Sequence, residues 1–500
     1  MKNKLIKKTI EASKLKITER NYEELELIAT QALKIYANNV NFKCLNVIAK
    51  KNLNKEYFNQ IKEIENSCAG NFDLTSTLGL FFIDLEEIEL AKDFFKLAIA
   101  IDPKKEDAWL NLGVCLRLEK NLEQSLKHIK KAYELNENNF TTLINLAGVY
   151  AESLEIDKSI KHLEKALKIE PNSSKANVDL GCSYYIKGKM KKGFKHYQYR
   201  FEEFENLKKI KKEFEKQEWK KWEGERIKDD QKIIFFSEQG IGDCINFIRF
   251  VQDFKTINPK AKFKIIIPSE ADGLFSFEEN EFIKDKDFNL KDLSGYDFYC
   301  SIIDIPYYLN ISKKEIESRF KPYIFANKKC DYSYFENLFK IGICWAGNPK
   351  HSRDNERSCS LSLFKDIYKI PNVKLFSLQK ELNSRIRPYE KKPVSLSDCT
   401  DIKIVNMSPH MKTWEDTASI IDGIDLVISV DTSILHLACA MGKQTFGLLP
   451  FFPDWRWGVL SDRSYLYPTL KLFRQKEAGN WNDVFLDVTN SIKKLSLDYF

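Results

Sequence analysis

Leu426-Val427-Ile428-Ser429-Val430-Asp431-Thr432-Ser433-Ile434-Leu435-His436-Leu437-Ala438 is the stretch on which the fold of the C-terminal half turns. Its apolar opening run predicts a buried strand. That run leads straight into Asp431-Thr432-Ser433, residue types suited to a helix start, and then into an apolar helix. A buried strand feeding such a helix brings hydroxyls together with free backbone N–H groups, which is a natural site for a diphosphate. His436 falls near the first turn, where the helix dipole disfavours the imidazolium and a neutral imidazole can donate to a ligand. The alternative is a capped helix with a core histidine.

Outward from this junction, short β-branched or aromatic runs alternate with helix-length amphipathic segments from Lys232 onward, the signature of parallel α/β units. Ile233–Phe236, Phe263–Ile267 and Tyr296–Ile302 form a first group of expected strands. Ile341–Trp345, Val373–Leu378, Ile402–Val405, Leu426–Val430 and Thr445–Leu449 form a second, with a break around Lys313–Tyr334. This pattern predicts two doubly wound half-domains with a cleft between them, and ligands in such sheets sit at the carboxyl ends of strands. Two more strand-to-helix junctions carry polar residues there. In Ser237-Glu238-Gln239-Gly240-Ile241-Gly242-Asp243, the glycines Gly240 and Gly242 permit a tight turn and close ligand approach. Asp243 falls at the helix start, either facing the cleft or serving as a simple N-cap. A full GxGxxG is absent, so no dinucleotide is expected. The run Ala346–Ser358 carries Lys350, Arg353 and Arg357, either to hold phosphate oxygens or as an ordinary basic surface loop.

The N-terminal half has a period of 34 residues. Leu78-Gly79, Leu112-Gly113, Leu146-Ala147 and Leu180-Gly181 recur at that spacing, as do the small residues Ala91, Ser125, Ser159 and Gly193, with Pro103 and Pro171 closing two units. Small residues let two antiparallel helices approach, large apolar ones fill the groove, and proline ends the second helix. The pattern resembles the tetratricopeptide repeat and implies an α-solenoid with an extended surface for a protein partner. In the last unit Arg200 replaces the usual alanine, as expected of a cap docking on the next domain. His128, His162 and His196 keep the same period and so belong to the repeat, which leaves His351, His410 and His436 for chemistry.

Composition excludes several classes. With 43% hydrophobic residues, 19 Gly and 14 Pro in 500, the chain is neither collagen-like nor disordered. A net charge of +7 is too weak a field over this length to argue for nucleic acid. The 11 cysteines form no CxxC pair and several sit in apolar runs, the usage of reduced thiols in a cytoplasmic protein. No apolar stretch is long enough for a signal peptide or a transmembrane segment.

The segment from about Lys232 to Val484 resembles the heptosyltransferase-type glycosyltransferases of family 9, through Gly240-Ile241-Gly242-Asp243, the basic loop, and Asp431-Thr432-Ser433 with His436, in the family's order. The resemblance implies a GT-B-like pair of half-domains and transfer of a sugar from a nucleotide diphosphate sugar to a protein or glycan hydroxyl. It implies Asp243 as general base, Gly240, Gly242, Asp431, Thr432, Ser433 and His436 around the donor, and one basic residue of the loop, Lys350 or Arg357, on its diphosphate. The donor is a substrate; no cofactor and no metal are implied, and Asp285-Lys286-Asp287 lacks the strand pattern that a metal-binding DxD would follow. The expected order is a repeat array with its cap over 1–206, a charged linker helix over 207–231, and half-domains over 232–325 and 326–500. The alternative is a non-catalytic repeat scaffold with a degenerate glycosyltransferase-like domain.

Overall fold

The computed structural model describes residues 2–275, 281–287, 295–380 and 402–499. They form two compact units, Met1–Leu180 and Gly181–Phe500.

The first unit is a helical repeat solenoid. The 34-residue period becomes helix pairs: first helices begin at Phe72, Glu106 and Phe140, second helices at Ile88, Leu122 and Ile156. The small residues act as expected. A Cβ on Gly79 would lie 2.6 Å from the Phe95 ring and one on Gly113 2.4 Å from Ile129 Cγ1, so these two pairs close around a glycine, while the third has Ala147 at the same place. Asn71, Asn121 and Asn139 each cap a helix by accepting the N–H three residues on. The turn inside each pair ends on Glu86, Lys120 or Leu154, with φ of 61°, 62° and 59°. These left-handed residues are again 34 apart, and their conformation is set by Schellman bonds such as Glu87 N–H to the Phe82 carbonyl at 2.9 Å. His128 and His162 spend Nδ1 on the carbonyl four residues back, at 2.8 and 2.7 Å, and their rings pack on Trp109 and Tyr150.

The second unit opens within the helix Ser174–Ile186 and continues with Met190–Tyr197, 34 residues after Ile156, and the short Arg200–Glu203, so the expected boundary at residue 206 lies inside it. The segment 207–231, expected as a charged linker helix, is helical only to Glu215 and then forms strand β1, Lys220–Lys221. Two tryptophans explain the difference. Trp219 stacks on Phe214 at 5.3 Å and Trp222 sits edge-on to Phe254 at 5.2 Å, which draws the charged chain onto the sheet.

Among the described residues, eleven strands build two parallel sheets. In the first, β1 is joined by β2 (Lys232–Phe236), β3 (Lys262–Ile267), β4 (Phe282–Lys284) and β5 (Phe298–Ser301), in the order β1-β5-β2-β3-β4. The second holds β6 (Phe339–Cys344), β7 (Val373–Ser377), β8 (Val405–Asn406), β9 (Leu426–Val430), β10 (Gln444–Leu449) and β11 (Leu470–Arg474), in the order β11-β10-β9-β6-β7-β8. β8 covers only the end of the expected Ile402–Val405. β4 and β11 were not expected, so Asp285 does follow a short strand, and Phe473-Arg474 belongs to an edge strand. In each sheet the chain winds one way from its first central strand and then the other, so the winding reverses beside β2 and between β6 and β9. Ligand crevices open at the carboxyl ends of strands at such reversals. No described helix is long and apolar enough to cross a membrane.

Candidate functional site

The three junctions leave the carboxyl ends of β2, β6 and β9 and meet around a cavity of about 770 Å³. All the residues that the resemblance implied for catalysis and donor binding line it: Gly240, Gly242, Asp243, Lys350, Arg357, Asp431, Thr432, Ser433 and His436. His351 lines it too, whereas His410 is exposed outside it. A second cavity, of about 670 Å³, shares Asn348, Arg357, Thr432 and Ser433 with the first and runs on to Gln379, Met411 and Trp414.

Gly240, not Asp243, is the N-cap of the helix Ile241–Phe247. Gly240 has an ordinary extended backbone, and a Cβ there would meet nothing within 4 Å, so no turn geometry demands glycine. Gly242 is tightly packed. A Cβ would stand 3.0 Å from the His436 ring and 3.3 Å from Ser433 Oγ, so its smallness brings this helix against Ser433–Ala440. Asp243, one residue on, is free of capping and turns its carboxylate to Arg456. Burial pushes its carboxyl up to about 6, with the Arg456 charge opposing the rise.

Arg456 was not singled out from the sequence. Arg456 lines the cavity, whereas Trp457 packs beside it on His436. Arg456 is buried, donates to Asp454 Oδ1 at 2.7 Å and Gln239 Oε1 at 2.8 Å, and lies 4.3 Å over the Trp455 ring. Trp457 stacks on His436 at 5.2 Å. His436 places Nδ1 3.0 Å from the Tyr467 hydroxyl, and burial pushes its imidazole down to about 3, so it is neutral.

At the third junction Thr432 is the N-cap of Ser433–Ala440, yet its side chain makes no cap bond; its Oγ1 lies 3.0 Å from Ser429 Oγ. Leu435 and His436 N–H donate to the Thr432 carbonyl at 3.1 and 3.4 Å, which leaves the Ser433 and Ile434 N–H groups without a cap bond where the two cavities meet. Arg357 lines both, held by a donation to the Asp431 carbonyl at 3.0 Å and by an ion pair with the buried Asp354 at 3.5 Å. Lys350 lines only the larger cavity and is exposed, while Arg353 is committed to Glu356 at 2.7 Å. Burial raises the Asp431 carboxyl pKa, with Asp454 adding to the rise. Asp285 is spent accepting the Ser269 N–H at 2.9 Å, and no group of three or more metal-ligating side chains gathers among the described residues.

A helical repeat unit joined to a region of parallel sheets with a polar cavity at their switch points is the class that fold and site define. Residues 76–105 and 106–139 match the tetratricopeptide repeat. Residues 389–466 match glycosyltransferase family 9 (heptosyltransferase), a span that contains Asp431, Thr432, Ser433, His436 and Arg456 but not Asp243. The match suggests glycosyl transfer, and the repeats suggest protein interaction. Similar solved structures include MamA, 21% identical over 31% of this chain and 89% of that one with a TM-score of 0.28. Another is YrrB, described as a tetratricopeptide repeat protein with an unusual peptide-binding site, 18% identical over 37% of this chain and 97% of that one, TM-score 0.27. No curated protein matches the chain.

Proposed function

We propose that the second unit is a GT-B-type glycosyltransferase that moves a sugar from a nucleotide diphosphate sugar to an acceptor hydroxyl, and that the repeats recruit a protein partner or the acceptor. The observation that carries this reading is the convergence of Asp243 with Arg357, Thr432, Ser433 and His436 on one cavity from both parallel sheets. In this reading Asp243 takes the proton from the acceptor hydroxyl as its oxygen attacks the anomeric carbon. The bond from that carbon to the diphosphate breaks, and the departing charge falls on Arg357 and the uncapped helix N-terminus at Ser433. Neutral His436 positions the donor. The nucleoside extends into the neighbouring cavity toward Met411 and Trp414.

The test is calorimetric titration of ADP, UDP and GDP into the full chain and into Asp431→Ala and Arg357→Ala variants of verified fold. One nucleotide is expected to bind, with at least tenfold weaker affinity in Arg357→Ala. Asp243→Asn is expected to abolish transfer and retain nucleotide binding. A chain that binds none of the three returns the weight to a non-catalytic scaffold.

A further inference from the structure

A third cavity, of about 590 Å³, lies wholly within the second unit and is unlike the other two. Its walls are Tyr185, Phe194, Phe247, Ile311, Trp455 and Leu466 among other apolar side chains. The aromatic rings are locked together: Tyr185 stacks on Trp455 at 4.5 Å and Phe194 on Tyr307 at 3.4 Å. Four lysines, Lys189, Lys191, Lys192 and Lys313, line the same cavity, and no carboxylate does. None of the four makes an ion pair among the described residues. Lys192 and Lys313 rest instead on tyrosine rings, 5.4 Å over Tyr184 and 4.4 Å over Tyr465. Lys313 is half-buried, and burial lowers its pKa, the mark of an ammonium that lacks a counter-charge.

Apolar walls bordered by cations without ion pairs suit an amphiphilic ligand. A cavity of this size lies within the range of about 300–1,000 Å³ that small ligands occupy. A peptide would bring backbone N–H and carbonyl groups that need partners. Apart from the lysines the lining offers little beyond Asn310, Ser312 and tyrosine hydroxyls, whereas an alkyl chain needs no hydrogen bonds. Several ammonium groups without any acid match a dianion better than a monoanion. We propose that this cavity binds a single-chain amphiphile with a phosphate headgroup, the chain among the aromatic walls and the phosphate against Lys192 and Lys313.

The experiment is calorimetric titration of the full chain with monomeric dodecyl phosphate, dodecanoate and the neutral dodecyl maltoside. Dodecyl phosphate is expected to bind with one-to-one stoichiometry, at least tenfold more tightly than the maltoside and more tightly than dodecanoate. Lys192→Gln with Lys313→Gln, both changes at the cavity edge, is expected to weaken it at least tenfold. Ile311→Trp, which fills the cavity, is expected to abolish binding. Asp431→Ala is expected to bind as the parent does, because the donor cavity is separate. Equal binding of the maltoside, an unchanged affinity in the lysine variant, loss of binding in Asp431→Ala, or capture of an acidic aromatic peptide in place of the alkyl phosphate would each overturn the proposal.

Discussion

Asp243 stands between two opposed influences, burial that favours its neutral form and Arg456 that favours its charge, and the balance leaves its carboxyl at about 6. A general base must be ionised, so kcat/KM for transfer is expected to fall as pH drops through about 6 and to level off above it. Arg456→Met removes the charge that opposes the rise, and the inflection is then expected to move to higher pH; an unmoved profile would separate Arg456 from the base. The stability consequence has the opposite sense. A carboxyl raised from 3.8 to about 6 contributes stability that is fully present below the lower value and lost as pH rises through the upper one. Gly242 acts by absence. Gly242→Ala puts a methyl group 3.0 Å from the His436 ring, and overpacking of this kind costs about 1–3 kcal/mol. Urea denaturation is expected to show that loss, accompanied by reduced transfer. At this scale the GxGD run was legible as a site, but the reason for its second glycine was not: the neighbour it accommodates lies almost two hundred residues away in sequence, and no local pattern encodes that contact.

Among the elements, the repeat helices were the most legible because their contacts are local. A glycine and the large residue it faces, as at Gly79 and Phe95, fall within one helix pair, so period and packing carry the same information. The turns were not legible, since Glu86, Lys120 and Leu154 carry no glycine signal while adopting left-handed backbone angles. Such a conformation costs a side chain about 1–2 kcal/mol, part of which glycine returns through its larger unfolded-state entropy. Leu154→Gly is therefore expected to raise stability by about 0.5 kcal/mol, and thermal unfolding followed by circular dichroism checks it. The central strands β2, β3, β6, β7, β9 and β10 are buried apolar runs and were readable as such. Three of the four edge strands were missed or misplaced for a common reason. β1 is Lys-Lys, β4 is Phe-Ile-Lys and β8 is Val-Asn, sequences too short or too polar to signal a strand, and they pair because a neighbour's open edge offers hydrogen bonds.

Across the second unit, Arg200 ties the turn after Tyr199 to the root of the Asp243 junction. Its guanidinium is fully buried, donating to Glu238 at 2.8 and 2.6 Å and to Asp304 at 2.7 Å, with Ser301 completing the shell around Glu238. Removing one member of a buried charge network leaves the others uncompensated and costs about 3–5 kcal/mol. Arg200→Met is expected to destabilise the second unit by that order. All eight tryptophans except Trp109 lie in this unit, so tryptophan fluorescence in a urea titration reports the change directly. An unshifted midpoint would show the network to be dispensable.

The sequence by itself determined the period of the repeat, the position of the parallel-sheet region and the identity of the three polar junctions, because each is written in residues adjacent along the chain. It singled out Arg200 as a departure from the repeat without revealing its partners. Only the tertiary structure decided that Asp243 meets Arg456, that Arg357 sits where two cavities join, and that four lysines border an apolar hollow without a carboxylate. Those facts depend on which strand ends the sheet order brings together. Strand order is a property of long-range pairing, in which burial and hydrogen bonding between distant segments outweigh anything a local pattern can express.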